Sequence, residues 1–443
     1  MDFNGFLKSY KTIAKEATLF SGVQIILLFV SMIRNMIIAK YLGVEATGIM
    51  GVLQNTIGVF IALFSVGLPV LLVRSFALDE TFETQKQQYV IKKAIMILGV
   101  LGSVLFYLFV PAFSKELFNH DGYDWILKIV AIVILFKQIS TVNTSILQGK
   151  QYLSVLAKVN IISAVVGLVI AIPLYYYFYL EGVIYGFVVI YLIEVIVSSF
   201  AVKNNKKPIA VKLSLNDYRG VVKQGVVLGY GNVLSLLAQL AVIFYISSQS
   251  GNIQAGFYNA GFSIINNYVA LLFIAMSTGY LPRIVKLLNF KENLQTEITK
   301  QLNFSLLVIG GLAAICIVFA PLIINILFSN EFEAVVPFLR VAVFGMIFKT
   351  FSWCLGYLII AKVDKKVLMF TGIIFNLLFA LALIYGFHIN GIMGVAYAFV
   401  GYNFIHLISI TLIVKFRYDM NIEIKTILLL IGILIFNGLL FLL

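Results

Sequence analysis

Charged side chains are scarce in this chain of 443 residues, and their scarcity excludes a soluble globular protein. Only 12% of the residues are Asp, Glu, Lys or Arg, whereas 61% are hydrophobic. An average soluble domain has about 25% charged residues. The composition therefore predicts a polytopic membrane protein, in which most side chains face lipid or neighbouring helices.

Cysteine and histidine are also rare, with two and three copies. Cys316 and Cys354 lie within apolar stretches at different depths, so we expect no disulfide and no thiolate metal site. His120, His388 and His406 are scattered at or near the ends of predicted spans, which is typical of interfacial side chains rather than metal ligands. The sequence thus predicts neither a metal nor a cofactor.

Long polar segments are lacking, which argues against a separate catalytic domain. The longest outer loop runs only over 113–124, and the central linker over 203–224. The chain has no Gly-rich phosphate loop, no HExxH helix, no nucleophile beside a base and no cluster of carboxylates. We therefore expect a protein that is not an enzyme.

Acidic residues are outnumbered by basic ones, 19 to 32, which gives a formal net charge of +13. If the N-terminus is cytoplasmic, most Lys and Arg residues fall in cytoplasmic segments, as the positive-inside rule requires. The excess of basic residues therefore indicates orientation and contact with anionic lipid headgroups. We expect no nucleic-acid partner.

Apolar stretches of about 20 residues are what a helix needs to cross a hydrocarbon core about 30 Å thick. Thirteen stretches of the chain meet this requirement. The predicted spans are 18–39, 48–72, 94–112, 125–147, 152–176, 183–202, 225–248, 256–281, 302–324, 335–360, 367–387, 392–414 and 424–443. We therefore predict an all-α polytopic membrane protein.

An internal repeat covers most of the chain. Gly43 corresponds to Gly251 at an offset of 208, and Lys137 corresponds to Lys349 at an offset of 212. Because each repeat contains six spans, an even number, both repeats enter the membrane from the same side and are parallel. We predict an N-terminal six-helix bundle, a C-terminal six-helix bundle and an additional transmembrane helix, over 1–208, 209–423 and 424–443.

Cations inside the predicted spans are the leading candidates for a substrate site. Lys137 and Lys349 lie deep in the fourth and tenth spans, where an ionised side chain costs at least about 2.5–3.5 kcal/mol. We expect this matched pair to face a polar cavity and to bind an anionic cargo. Lys128 and Arg340, nine residues earlier on nearly the opposite helical face, either join this site or extend to lipid headgroups.

Other polar residues extend the predicted substrate site. Arg34 lies inside the first span among polar neighbours. Arg74 and Arg283 follow a repeated proline at the cytoplasmic ends of the second and eighth spans. They either meet a phosphate or anchor the helices. The uncharged candidates, which suit a hydroxyl-rich cargo or hydrogen bonds between helices, are Gln54, Asn55 and Asn259.

Glu194 is the one acidic residue well inside a predicted span, and it needs a cation or a proton there. One hypothesis is a salt bridge to Lys137 or Lys349 that fixes helix packing. The other is a coupling site that binds a proton or sodium ion and biases two states of a transporter.

Short motifs along almost the entire chain resemble one transport family. They are KYLGVEATG at 40–48, Gly-Leu-Pro at 67–69, the 111–118 segment, Gln-Gly-Lys at 148–150 and the 182–186 segment. Together they resemble the polysaccharide-biosynthesis branch (Wzx, O-antigen translocase) of the MOP exporter superfamily. The resemblance implies a V-shaped, MATE-like pair of six-helix bundles around a cationic cavity.

This resemblance also implies a function. Members of the family flip undecaprenyl-pyrophosphate-linked oligosaccharides from the inner to the outer leaflet of the bacterial inner membrane. By that resemblance Arg34, Lys137 and Lys349 are candidates for contact with the diphosphate. The implied partners are the lipid-diphosphate-linked oligosaccharide, membrane lipids and a polysaccharide polymerase.

Two related functions remain as alternatives. MATE-type multidrug exporters generally use acidic residues in the N-terminal bundle, whereas the first span here has Arg34 and no acid. The lipid II flippase MurJ has fourteen helices and an arginine-rich cavity, whereas this chain has one extra span and few arginines in the membrane.

Overall fold

The computed structural model describes residues 3–77, 81–118, 124–202, 214–269, 273, 280, 283–285, 287–362 and 364–442. Within these ranges the chain is almost entirely helical and contains no strand. Apolar sequence of this length folds into helices because each backbone N–H and C=O then finds a partner in its own segment, which lipid cannot supply. The predicted all-α membrane fold is confirmed.

Ten α-helices occur in the described ranges. They are α1 Phe3–Ser65, α2 Leu68–Ala77, α3 Phe82–Phe118, α4 Asp124–Gly149, α5 Leu153–Ala201, α6 Leu215–Phe262, α7 Lys291–Leu327, α8 Val335–Ala361, α9 Lys365–Tyr418 and α10 Ile424–Leu442. A π-helix, Ser263–Val269, extends α6, and a short 3₁₀ turn, Asn330–Phe332, precedes α8. Nine of these helices are long and apolar enough to cross a membrane by length and composition.

Four of the long helices are broken by non-helical backbone. The breaks lie at Gly43 in α1, Tyr179 in α5, Gly251 in α6 and 390–391 in α9. Each break falls between two of the predicted spans. The four breaks divide the nine long helices into thirteen helical segments in the described chain. Whether each segment crosses the membrane separately stays a prediction.

The breaks follow the internal repeat. Gly43 and Gly251, which the sequence pairs, have φ values of 79° and 77°, a region that glycine enters without steric penalty. Tyr179 and Gly391 are 212 residues apart and have φ values of 48° and 53°. The two halves of the chain therefore bend at equivalent positions.

Close helix approaches repeat as well. A Cβ atom added to Gly182 would lie 2.1 Å from the carbonyl oxygen of Leu174, and one added to Gly394 would lie 1.8 Å from that of Gly386. Both pairs are related by the offset of 212. Only glycine allows the chain to fold back this tightly after each break.

The chain forms two compact units, unit 1 over 1–240 and unit 2 over 241–443. The first half of α6 belongs to unit 1 because it packs on the turn between α1 and α2, where a Cβ on Gly67 would meet Gly225 O at 2.4 Å. In unit 1, α4 packs between α3 and α5, and in unit 2, α8 packs between α7 and α9. The predicted domain ranges 1–208, 209–423 and 424–443 stay predictions.

The last helix, α10, packs on α7 within unit 2. Asn437 donates a hydrogen bond to Gly310 O at 3.3 Å. Thr426, Leu430 and Asn437 are buried, whereas most other side chains of α10 are exposed. The helix therefore covers unit 2 with one narrow face.

Candidate functional site

Lys137 and Glu194 form an ion pair inside unit 1. Lys137 lies near the midpoint of α4, and its Nζ is 2.7 Å from Oε1 of Glu194 in the second half of α5. The two side chains are 32% and 18% exposed. The Tyr191 ring, whose centroid is 5.6 Å from Nζ, adds a cation–π contact. The salt bridge that the sequence offered as one hypothesis is present.

Polar side chains one and two turns further along continue this contact between α4 and α5. Ser140 donates to the same Glu194 oxygen at 3.0 Å. Asn143 donates to Ser198 and Ser199 at 3.2 and 3.1 Å. The carboxylate thus accepts two hydrogen bonds, one from Lys137 and one from Ser140.

Lys349 has a different environment in unit 2. It lies near the midpoint of α8, and its Nζ donates to Asn266 Oδ1 at 3.4 Å. One turn later, Ser352 Oγ lies 2.9 Å from Nδ1 of His406 in the second half of α9. No carboxylate contacts Lys349 among the described residues.

Aromatic rings enclose His406. The Phe375 ring meets it edge-on with centroids 4.4 Å apart, and the Tyr402 ring stacks on it at 6.0 Å. Lys349 is close enough to interact with the imidazole electrostatically. His406 therefore belongs to a packed polar cluster.

The two clusters are related by the repeat. Adding 212 to the numbers of Lys137, Ser140 and Glu194 gives Lys349, Ser352 and His406. In each unit the serine one turn after the lysine contacts the side chain from the last helix of the repeat, at 3.0 Å in unit 1 and 2.9 Å in unit 2. The serine contact is the same in both units, whereas the acid is replaced by a histidine and the lysine of unit 2 contacts Asn266 instead.

Lys128 and Arg340 also make equivalent contacts. Lys128 lies over the Tyr107 ring of α3, 5.5 Å from the centroid. Arg340 donates from Nε to the Ile317 carbonyl of α7 at 3.0 Å. Each cation is thus held against the preceding helix.

Arg34 is half-buried in α1, and its Nε is buried without a hydrogen-bond partner in the described chain. It interacts electrostatically with Tyr175 of α5. A cavity of about 390 Å³ opens between these two helices. Its lining residues are Ile37, Tyr41, Ile172, Pro173, Tyr175, Tyr176 and Tyr177.

The two arginines that were predicted at cytoplasmic helix ends differ in their exposure and contacts. Arg74 is exposed near the end of α2. Arg283 pairs with Glu297 and donates to Gln301 Oε1 at 2.9 Å. Arg283 is therefore anchored to the first turns of α7.

The predicted amides lie in α1 and α6. Asn55 donates to Gly51 O of its own helix at 2.8 Å, and Gln54 is exposed beside it. Asn259 is half-buried in α6. Asn266, one of the polar residues of the same region, is the amide that reaches Lys349.

Sequence reasoning missed Ser140, Ser352 and His406. The signal was available, because the offset of 212 that relates the two lysines also relates Glu194 to His406. It was obscured because the two residues differ in type. Within the described chain, no group of three His, Cys, Asp or Glu side chains is placed to hold a metal.

Comparison with solved structures identifies the fold. The chain is similar to an inward-facing multidrug resistance MATE family transporter of the MOP superfamily, with a TM-score of 0.73 and 14% identity over 91% of this chain and 98% of that one. It is also similar to the lipid II flippase MurJ in an inward closed conformation, with a TM-score of 0.72 and 17% identity over 96% and 91% of the two chains. The fold is that of the MOP superfamily.

The family follows from the sequence match. Residues 37–337, more than half of the chain, match the family described as "Polysaccharide biosynthesis protein", and the chain belongs to that family. A Lipid III flippase of Escherichia coli strain K12 is 23% identical over 292 residues, covering 64% of this chain and 69% of that protein. The predicted resemblance is confirmed, and these similar proteins are transporters and flippases, not enzymes.

Proposed function

We propose that this protein is a flippase that moves an undecaprenyl-pyrophosphate-linked oligosaccharide across the bacterial inner membrane. The observation that carries the proposal is Lys349, a cation in the middle of a membrane-length helix whose one hydrogen-bond partner in the described chain is a neutral amide. A charge at this depth is retained where it serves a polar path or an anionic cargo. The polysaccharide-biosynthesis family and the flippases among its relatives support the same function.

Each part of such a cargo has chemical counterparts on the chain. The diphosphate is attracted by cations, for which Lys349, Arg34 and, once it is released from Glu194, Lys137 are the candidates. Sugar hydroxyls are suited to amides and tyrosines, and four tyrosines line the cavity beside Arg34. The polyprenyl tail stays in lipid, and no covalent bond is made or broken.

Transport proceeds in this proposal by alternating access, with an ion gradient as the source of energy. Glu194 is the candidate coupling residue, because binding of a proton or sodium ion would weaken its pairing with Lys137. Such a change biases the two states of a transporter only if the ion binds them with different affinity. Glu194→Gln, which cannot bind a proton, should then make transport insensitive to the gradient.

The proposed orientation places the N-terminus and the 203–224 linker in the cytoplasm and the C-terminus in the periplasm. The distribution of Lys and Arg supports it. Single cysteines introduced into a Cys316→Ala, Cys354→Ala background and labelled from each side of the membrane test it. A cytoplasmic C-terminus would contradict thirteen crossings. A polysaccharide polymerase remains the proposed protein partner.

Deletion of the gene tests the proposed function in cells. Lipid-linked oligosaccharide should accumulate on the cytoplasmic leaflet, and the wild-type gene should restore its export. Lys349→Ala should not restore export, whereas Lys158→Ala, at an exposed position in the first turns of α5, should do so. Increased drug sensitivity without accumulation of the glycolipid would instead support the multidrug exporter.

A further inference from the structure

The repeated clusters differ in charge at one position. Glu194 in unit 1 and His406 in unit 2 are related by the offset of 212, as are the lysines and serines that they accompany. Glu194 carries a negative charge when it pairs with a lysine, whereas a histidine is neutral or positive. The same packing arrangement therefore compensates the lysine in one unit and not in the other.

In unit 1 the lysine is compensated by its neighbour. Lys137 Nζ and Ser140 Oγ both donate to Glu194 Oε1, at 2.7 and 3.0 Å. An oxyanion approaching Lys137 would have to replace a carboxylate that already makes these contacts, and it would be repelled by that carboxylate. The pair is closed to an anionic ligand.

In unit 2 no acid is available to take that role. The acidic residues of 241–443 are Glu292, Glu297, Glu331, Glu333, Asp364, Asp419 and Glu423. All lie outside α8 and within about two turns of a helix end. Glu297, Asp364 and Asp419 are paired with other cations. No carboxylate of unit 2 is therefore placed to compensate a positive charge on Lys349.

We propose that Lys349 and Asn266 form an oxyanion site in unit 2 that binds a phosphate or diphosphate group, and that Glu194 keeps Lys137 from acting as a second one. Asn266 accepts from Lys349 through Oδ1, which leaves its NH₂ group to donate to the same ligand oxygen. His406 holds Ser352 without neutralising the lysine. The identity of the natural ligand rests on the proposed function, whereas the ability of the site to bind an oxyanion does not.

Binding of inorganic pyrophosphate to the purified full-length protein in detergent, measured by calorimetry, tests this site. His406→Glu places an acid where the repeat has Glu194, and it should weaken binding at least about 30-fold. His406→Gln, the matched control without added charge, should change the affinity less than about threefold. Lys349→Met should lose as much affinity for pyrophosphate as His406→Glu does. If the glutamate introduced by His406→Glu prevents folding, the affinity of Lys349→Met tests the site instead.

The partner substitutions test the role of Glu194. Lys137→Met should bind pyrophosphate at least about tenfold more tightly than Lys349→Met does. Glu194→His should tighten binding or add a second site, because it frees Lys137. Equal losses for the two lysine variants, or an unchanged affinity in Lys349→Met, would overturn the proposal, as would a wild-type protein that does not bind pyrophosphate.

Competition identifies the source of the phosphate group. Displacement of pyrophosphate by farnesyl diphosphate, but not by nanodiscs containing phosphatidylglycerol, assigns the site to a prenyl diphosphate. Displacement by phosphatidylglycerol assigns it to a bilayer headgroup. If pyrophosphate binds through Lys349 but cells lacking the protein export their oligosaccharide normally, the oxyanion site stands and the proposed flippase function fails. If export needs the protein but pyrophosphate binding does not need Lys349, the site fails alone.

Discussion

The ion pair between Lys137 and Glu194 should be measurable as a coupling energy in the stability of the protein. The perturbation is a double-mutant cycle with Glu194→Gln, Lys137→Met and the double variant. Gln preserves the shape of Glu and can still accept from Ser140, so Glu194→Gln removes mainly the charge. Met fills most of the space of the lysine chain without a charge.

The expected size of the coupling follows from the burial of the pair. Removal of one partner from a fully buried pair costs about 3–5 kcal/mol, whereas an exposed pair contributes about 0–1 kcal/mol. The side chains are 32% and 18% exposed, with a separation of 2.7 Å. We therefore expect each single variant to lose about 1–3 kcal/mol of unfolding free energy. The double variant should recover most of that loss, because it leaves no unpaired charge.

Chemical unfolding in detergent measures these free energies, with the melting temperature as a second reading. A parallel cycle that combines Glu194→Gln with Lys158→Met is the control, since Lys158 is exposed and forms no ion pair in the described chain. Losses from Lys137→Met and Glu194→Gln that simply add would refute the stabilising role of the pair.

Four further substitutions test the fold. Gly67→Ala should lose at least about 2 kcal/mol of stability, because Gly67 has φ +65° and its new Cβ would meet Gly225 O at 2.4 Å; denaturant unfolding measures it. Gly251→Ala should lose about 1–3 kcal/mol through backbone strain alone, since its φ of 77° and ψ of 176° suit only glycine and open space surrounds it. By contrast, Gly231→Ala in the same helix should gain about 0.5–1 kcal/mol. Asp364 accepts a backbone N–H at the start of α9, which holds its pKa below the ordinary 3.8. The charged form of Asp364 therefore stabilises the fold at pH values above the ordinary pKa, and this stabilisation is lost as the pH falls through the lowered pKa. Asp364→Asn should remove that part of the acid sensitivity of the melting temperature, and an unchanged pH profile would contradict it.

The positions of the helices were largely predictable, but their continuity was not. The sequence predicts loops at 40–47, 177–182, 249–255 and 388–391, and the structure has single helices with a sharp break in each of these segments. A glycine in a short polar gap is compatible with a loop and with a kink. No signal predicts the positive φ of Tyr179, since a residue with a side chain is strained there.

The membrane lysines of the candidate site were predictable because buried charge is expensive and because the repeat pairs Lys137 with Lys349. Their different partners were not predictable from charge alone. Glu194 had two available lysines in the sequence, and only the packing of α4 on α5 selects Lys137. His406 was missed because a search for like residues fails where the repeat exchanges an acid for a histidine.

Reconstituted transport tests most directly whether the protein moves a lipid-linked diphosphate oligosaccharide. Purified protein is placed in liposomes with a labelled prenyl-diphosphate oligosaccharide, and a membrane-impermeant glycosidase reports how much of it reaches the outer leaflet with time. Wild-type protein and Lys158→Met should move the glycolipid, whereas Lys349→Met should move it at least about tenfold more slowly. Wild-type movement no faster than in protein-free liposomes would contradict the flippase function.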